Sequence, residues 1–369
     1  MSFNKYIEHY REFDIVNFFS GVTDEAIARS LAKDTLSTTD FLTLLSPKAS
    51  EYLELLAQKA HRLTVRHFGR TIQLFIPLYL SNQCTNQCAY CGFNRHNTII
   101  RSTLSLAQIE EEAIAIAATG MRHVLFLTGE SRGHTPMSYL TAAAQILKRH
   151  FASVSIEIFP LVIADYRRLQ QAGVDGMTIF QETYDEQTYQ RVHLAGPKMD
   201  YRFRLDAPQR GASAGLRAVN IGALLGLSEP RREIFLTGLH GRYLEDTCLD
   251  TEVSISLPRF NKAEGSFQPE YRVDDSSFIQ FMAALRLFLP RAGITISTRE
   301  NAQFRDRLLY LGATRFSAAS STGVGGYSES TAQQSQQFEI TDNRNVEEVV
   351  AAIIANGYQP VFKDWDVII

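Results

Sequence analysis

Leu74-Phe-Ile-Pro-Leu-Tyr-Leu80 runs through Ser-Asn-Gln into Cys84-Thr-Asn-Gln-Cys88-Ala-Tyr-Cys91, and one other cysteine, Cys248, occurs in the chain. An apolar run bounded by a polar, turn-forming tract reads as a strand entering a loop. Three cysteines therefore stand just beyond the C-terminal end of a strand. Thiolates are the usual ligands of iron–sulfur clusters, normally four to a cubane. Three would leave one iron with the open position that catalytic metal sites keep. Two other readings compete. Cysteines at this spacing share a face if the segment is helical, where they would pack as small hydrophobes, although the residues between them are polar. A zinc site with His96 as fourth ligand is also open, although structural zinc usually draws paired ligands from separate segments.

The rhythm around this stretch predicts an α/β chain. Residues 1–70 read as a helical extension: Ser46-Pro47 is a helix start, apolar positions then recur near 3.6 spacing, and Gly69 is a stop. It is expected to pack against one end of the main domain. From residue 71 to about 325, short apolar strands alternate with amphipathic segments. The strands are expected at 74–80, 123–127, 155–159, 177–180, 217–221, 253–257, 294–297 and 314–317. Ser105 and Gln108 form a capping box that opens a helix over 106–119. Eight strands with helical crossovers suggest a TIM-like (β/α)8 barrel. The cysteine loop then lies on the C-terminal barrel face, where such folds carry their chemistry. Residues 326–369 are expected to be a helical segment packed on the barrel, with a mobile polar loop over 328–337.

With 369 residues and 45% hydrophobic content, the chain has ample material for a large core. A net charge of −3 gives no reason to expect nucleic acid or an anionic membrane as partner. The N-terminus lacks the layout of a signal peptide, and no apolar stretch is long enough to span a bilayer. The cytoplasm is the expected setting, since a cluster on a loop is sensitive to oxygen.

The cysteine spacing, with an aromatic before the last cysteine, resembles the signature of the radical S-adenosylmethionine superfamily. Further stretches resemble its aromatic amino-acid lyase branch: Cys88-Ala-Tyr-Cys-Gly-Phe93, Leu127-Thr-Gly-Glu130, Phe180-Gln-Glu-Thr-Tyr184, His193-Leu-Ala-Gly-Pro-Lys198, Ser297-Thr-Arg-Glu300 and Gly325-Gly-Tyr327. The similarity is greatest to the 2-iminoacetate synthases, the tyrosine lyases of thiamine thiazole synthesis, and runs from about residue 35 to the C-terminus.

The resemblance implies a [4Fe-4S] cluster on Cys84, Cys88 and Cys91, with the open iron chelated by S-adenosylmethionine. It implies that Gly129 and Glu130 meet the methionine ammonium, Glu157 the ribose hydroxyls, Arg204 the methionine carboxylate and Phe93 the adenine, whose other side is lined by 220–227. For the substrate it points to Arg299 as the carboxylate partner, a planar fork matched to that group. Tyr90 would hold the amine, and Ser317 with the 320–322 hydroxyls, Ser320 among them, would complete a polar clamp. The competing partners for Arg299 are Glu300 and Glu182. Glu182 and His193 resemble the branch without a deducible role.

The chemistry so implied is radical cleavage of the tyrosine Cα–Cβ bond to 2-iminoacetate and p-cresol, with 5′-deoxyadenosine and methionine formed. Thiazole synthase is the implied protein partner and a flavodoxin-type protein the reductant. A tryptophan lyase, a hydrogenase-maturation tyrosine lyase and a non-catalytic iron–sulfur scaffold are the alternatives. The second carries a further cysteine-ligated cluster, and Cys248 is the one cysteine after Cys91 here.

Overall fold

The apolar run ahead of the cysteines is the first strand of the molecule. The computed structural model describes residues 2–11, 13–328 and 335–363. Helices α1 (Phe3–Arg11), α2 (Ile15–Ser20), α3 (Asp24–Ala32), α4 (Thr38–Leu44) and α5 (Leu53–Phe68) lead to β1 (Thr71–Ser81). Then follow α6 (Leu106–Ala118), β2 (His123–Thr128), α7 (Met137–Lys148), β3 (Ser153–Glu157), α8 (Ile163–Gln171) and β4 (Gly176–Glu182). The next group is α9 (Glu186–Val192), α10 (Tyr201–Leu205), α11 (Ala207–Ser213), β5 (Ala218–Ala223), α12 (Pro230–Thr247) and β6 (Glu252–Ser256). The chain continues through α13 (Asp275–Phe288), β7 (Gly293–Ile296), α14 (Ala302–Leu308), β8 (Arg315–Ser317), α15 (Val346–Ala355) and β9 (Gln359–Val361).

Each strand from β1 to β8 pairs in parallel with the next, and β8 pairs with Gln73–Phe75 of β1. The sheet therefore closes into an eight-stranded barrel. The eight expected strands are these eight. β3 ends at Glu157, two residues short of the expectation, and Ile158 and Phe159 lie beyond the ladder. The capping box forms: Ser105 N donates to Gln108 Oε1 at 2.9 Å and Gln108 N to Ser105 Oγ at 3.2 Å. Gly69 caps α5 at φ +67°, a backbone setting that glycine adopts without a Cβ penalty.

The N-terminal helices lie against the outer helices of the barrel. Phe41 of α4 stacks on Phe288 of α13 with centroids 4.4 Å apart, and Phe3 of α1 stacks on His240 of α12 at 4.0 Å. The C-terminal segment holds α15 and also β9, which pairs in parallel with Thr71–Gln73 of β1. Part of the polar tract 328–337 lies outside the described residues. No helix among the described residues is long and apolar enough to cross a membrane.

Candidate active site

All eight barrel strands run toward one face, so their C-terminal ends share a rim. A cavity of about 1170 Å³, counting the open solvent at its mouth, lies inside that rim. Its walls bring together Tyr90 and Cys91 from the cysteine loop, Glu157 ending β3, Glu182 ending β4, Arg299 after β7 and Ser317 ending β8. Ser320 lines it too. Phe93 and Arg204 adjoin residues of this lining, Phe93 packing on Leu125 and Leu127 and Arg204 pairing with Glu182, while Gly129 and Glu130 lie beside the cysteine loop.

The cysteine loop is laced to two neighbours. Gln87 N donates to Ala195 O, Ala89 N to Val192 O and Leu194 N to Gln87 O, which ties it to the tract after α9. Thr85 N donates to Glu130 O, and the buried Glu130 carboxylate accepts from Asn86 Nδ2 at 2.7 Å. Gly129 allows this closeness, since a Cβ there would stand 2.4 Å from Gln83 O. Gly129 and Glu130 thus hold the loop against the end of β2. Phe93 packs with Tyr79, Leu125 and Leu127 beside Cys84 and Cys91.

The three thiols fit a cluster by their chemistry and placement. All are free, and they lie between two apolar groups of residues at the rim. Burial pushes the Cys88 thiol up to about 12, with the other two cysteines adding to the shift, so a cation among them is what would favour the thiolates. Among the described residues no three His, Cys, Asp or Glu side chains converge as ligands of a single ion. His96, the fourth ligand of the zinc reading, is exposed. Cys248 caps the C-terminus of α12 ahead of β6, on the opposite face of the barrel.

Beside the cysteines lies a buried charge cluster. Glu182 adopts φ +70°, a strained setting for a residue with a side chain. Its carboxylate takes the Lys198 ammonium at 2.6 Å and the Arg204 guanidinium at 3.4 Å. Burial alone would raise this carboxyl, but Lys198 and Arg204 hold it below the usual carboxylate range. Arg204 is fixed further by donating Nε–H to Phe180 O at 2.7 Å. Lys198 also lies over the Tyr90 ring, 5.5 Å from its centroid.

Burial, followed by the Lys198 charge, drives His193 down to about 3, so its imidazole is neutral. Its Nδ1 lies 2.8 Å from Tyr189 O, which can only accept, so Nδ1 carries the proton. Nε2 is then the acceptor for the Tyr90 hydroxyl at 2.8 Å. His193 therefore fixes the Tyr90 hydroxyl, leaving its oxygen lone pairs available to a donor.

Arg299 has neither of the partners the sequence offered it. Glu300 is paired with Arg259, and Glu182 with Lys198 and Arg204. Among the described residues no ion pair to Arg299 forms; its guanidinium lies 3.4 Å from the Phe338 ring centroid and makes a long contact of 3.4 Å to Arg259 O. Burial lowers the affinity of this guanidinium for its proton. Ser317 Oγ accepts from Thr298 N at 3.1 Å and from Ser320 Oγ at 3.2 Å, joining the ends of β7 and β8. On β3, burial and then the Glu182 charge push the Glu157 carboxyl up to about 7.

Lys198, Gln337 and Phe338 are cavity residues that sequence reasoning did not single out. Lys198 ends a stretch that resembles the branch, but a half-buried lysine has no local signature. Gln337 ends the polar tract and Phe338 follows it, and both reach the rim by contacts with residues distant in the chain.

Comparison with known proteins agrees with this geometry. Residues 78–237 match the model described as the radical SAM superfamily, and 256–359 match the biotin and thiamin synthesis associated domain. The chain is 40% identical over 354 residues to 2-iminoacetate synthase of Escherichia coli (strain K12), covering 96% of this chain and 94% of that one. The Salmonella typhimurium 2-iminoacetate synthase is 38% identical over the same shares of the two chains. Among solved structures, the FeFe-hydrogenase maturase HydG from Carboxydothermus hydrogenoformans superposes with a TM-score of 0.85 at 33% identity, covering 98% of this chain and 82% of that one.

Proposed function

The chain belongs to the 2-iminoacetate synthase family of radical S-adenosylmethionine enzymes, and from that premise we propose how its own residues serve the reaction. The enzyme is a carbon–carbon lyase that splits L-tyrosine between Cα and Cβ into 2-iminoacetate and p-cresol, for thiazole formation in thiamine synthesis. Cys84, Cys88 and Cys91 hold the [4Fe-4S] cluster. When bound, the cluster supplies the electron that divides S-adenosylmethionine into methionine and the 5′-deoxyadenosyl radical.

The observation that carries the substrate assignment is a half-buried guanidinium, Arg299, with no carboxylate paired to it among the described residues, facing a cavity that the cysteine loop also lines. A desolvated cation of this kind suits an anionic ligand, and a planar fork binds a carboxylate through two parallel hydrogen bonds. Tyrosine bound this way points its amine toward Tyr90, whose oxygen has lone pairs to accept from it because His193 takes its proton. A hydrogen atom passes from the tyrosine amine to the 5′-deoxyadenosyl radical, giving 5′-deoxyadenosine, and the Cα–Cβ bond then breaks. The 4-hydroxybenzyl radical becomes p-cresol by taking one electron from the flavodoxin-type reductant and one proton that comes from solvent. Ser317 and Ser320 close the polar side of the clamp, and the walls keep water from the reacting atoms.

For the cosubstrate, Glu157 accepts ribose hydroxyls from inside the cavity. The adenine lies by Phe93 with the 220–227 segment on its other side. Gly129 and Glu130 serve the methionine ammonium chiefly by placing the cysteine loop, and Arg204 acts through Glu182 and Lys198. Because 2-iminoacetate hydrolyses readily, direct transfer to a thiazole synthase follows, with a flavodoxin-type protein as reductant and the cytoplasm as setting. Anaerobic reconstitution with tyrosine or tryptophan, followed by product analysis, tests the assignment. p-Cresol from tyrosine alone is the expected result; turnover of tryptophan and not tyrosine would overturn it.

A further inference from the structure

Gln337, which lines the cavity, is held by both its backbone and its side chain. Its backbone N–H donates to Thr322 O at 3.0 Å, and its carbonyl accepts from Gly92 N at 3.1 Å, one residue past the last cysteine. The approach is close enough that a Cβ on Gly92 would stand 2.4 Å from Gln337 O. The side chain is held as well. The Tyr79 hydroxyl donates to Gln337 Oε1 at 2.6 Å, which turns the amide nitrogen toward Cys91 Sγ, 3.6 Å away. Only the nitrogen end of a carboxamide donates, and a thiolate only accepts, so both contacts require the same amide orientation.

We propose that Gln337 donates a hydrogen bond to the Cys91 sulfur when the cluster is bound and so sets the cluster's reduction potential, with Tyr79 as the residue that orients the amide. The proposal rests on Cys91 being a cluster ligand. A donor to a ligand sulfur withdraws negative charge and favours the reduced cluster, so hydrogen bonds to the sulfurs are among the determinants of potential. The hydrogen bond raises the potential, and its loss makes the cluster harder to reduce.

Gln337→Leu removes the donor at similar size, and Tyr79→Phe leaves Gln337 in place but frees its amide. The measurement is a redox titration of the reconstituted full chain, followed by electron paramagnetic resonance, without S-adenosylmethionine. The expected result is a midpoint more negative than wild type for Gln337→Leu and a smaller shift in the same direction for Tyr79→Phe. An unchanged midpoint in Gln337→Leu at equal iron content overturns the proposal and leaves the proposed function standing. If Gln337→Leu fails to assemble a cluster, Tyr79→Phe decides: a negative shift supports the proposal and an unchanged midpoint overturns it. A cluster signal that survives Cys91→Ala overturns the proposal and the ligand assignment together.

Discussion

Replacing Arg299 by alanine separates recognition of tyrosine from radical generation. Arg299 is half-buried, it forms no ion pair among the described residues, and Glu300 and Glu182 are engaged by Arg259, Lys198 and Arg204. Its own supports are a stacking contact with Phe338 and one long contact to a carbonyl. A tyrosine carboxylate bound here forms a desolvated charge-assisted pair, and truncating one partner of such a pair commonly costs on the order of 2–5 kcal/mol. Tyrosine affinity should therefore fall roughly thirtyfold to several-thousandfold. Cluster assembly and S-adenosylmethionine binding should survive, since Arg299 holds no part of the cysteine loop. Slow uncoupled formation of 5′-deoxyadenosine should continue without p-cresol. Arg299→Lys should rescue poorly, keeping the charge and losing the fork. Anaerobic titration of tyrosine against wild type and both variants is the assay. Equal affinity in Arg299→Ala would refute the reasoning and move the carboxylate site to Ser317 and Ser320.

Alanine at Cys84, Cys88 or Cys91 should each abolish reductive cleavage of S-adenosylmethionine, whereas Cys248→Ala, at the far end of α12, should keep cluster absorbance and activity; loss of both in Cys248→Ala would break the ligand assignment. Glu157 is neutral below its raised value of about 7 and gains charge above it, and a carboxylate accepts ribose hydroxyls better than the acid does. Affinity for S-adenosylmethionine should thus rise in wild type between about pH 6 and about pH 8 and stay flat in Glu157→Gln, as equilibrium titration would report; parallel profiles would place Glu157 outside the ribose site. Asp342 is wholly buried against Arg305; burial would raise its carboxyl, but Arg344 and Arg305 hold it below the ordinary range. Because the folded value is depressed, this stabilisation is present above the unfolded value and is lost as pH falls through the folded one. Asp342→Ala should cost about 3–5 kcal/mol at neutral pH by denaturant unfolding, from the uncompensated Arg305 charge; a loss below about 1 kcal/mol would mean that the site relaxes to admit water.

The barrel was legible because its signals are local. Alternation of apolar runs with amphipathic segments depends on backbone geometry over a few residues, and so does the Ser105–Gln108 cap. The cysteine spacing, through its resemblance to the radical S-adenosylmethionine signature, likewise pointed to the cluster, and its position directly after a strand pointed to the C-terminal rim, since such a loop has little choice of where to go. The resemblance stretches identified part of the cavity wall, Tyr90, Cys91, Glu182 and Arg299 among it, while much of the remaining lining comes from strand residues that carry no motif.

What the sequence by itself determined about this protein is therefore the fold, the cluster loop and the class of chemistry, each written in short stretches of chain. Tertiary structure alone decided how the charges were partnered. Arg299 is left for a ligand only because Glu300 turned to Arg259 and Glu182 to Lys198 and Arg204, and a carboxylate has no local preference among the cations that folding brings within reach. The same holds for Gln337 and Cys91, which are 246 positions apart in the chain and meet at the rim. Electrostatic and hydrogen-bond partners are chosen by distance in space, and a linear chain does not contain that distance until the barrel has closed.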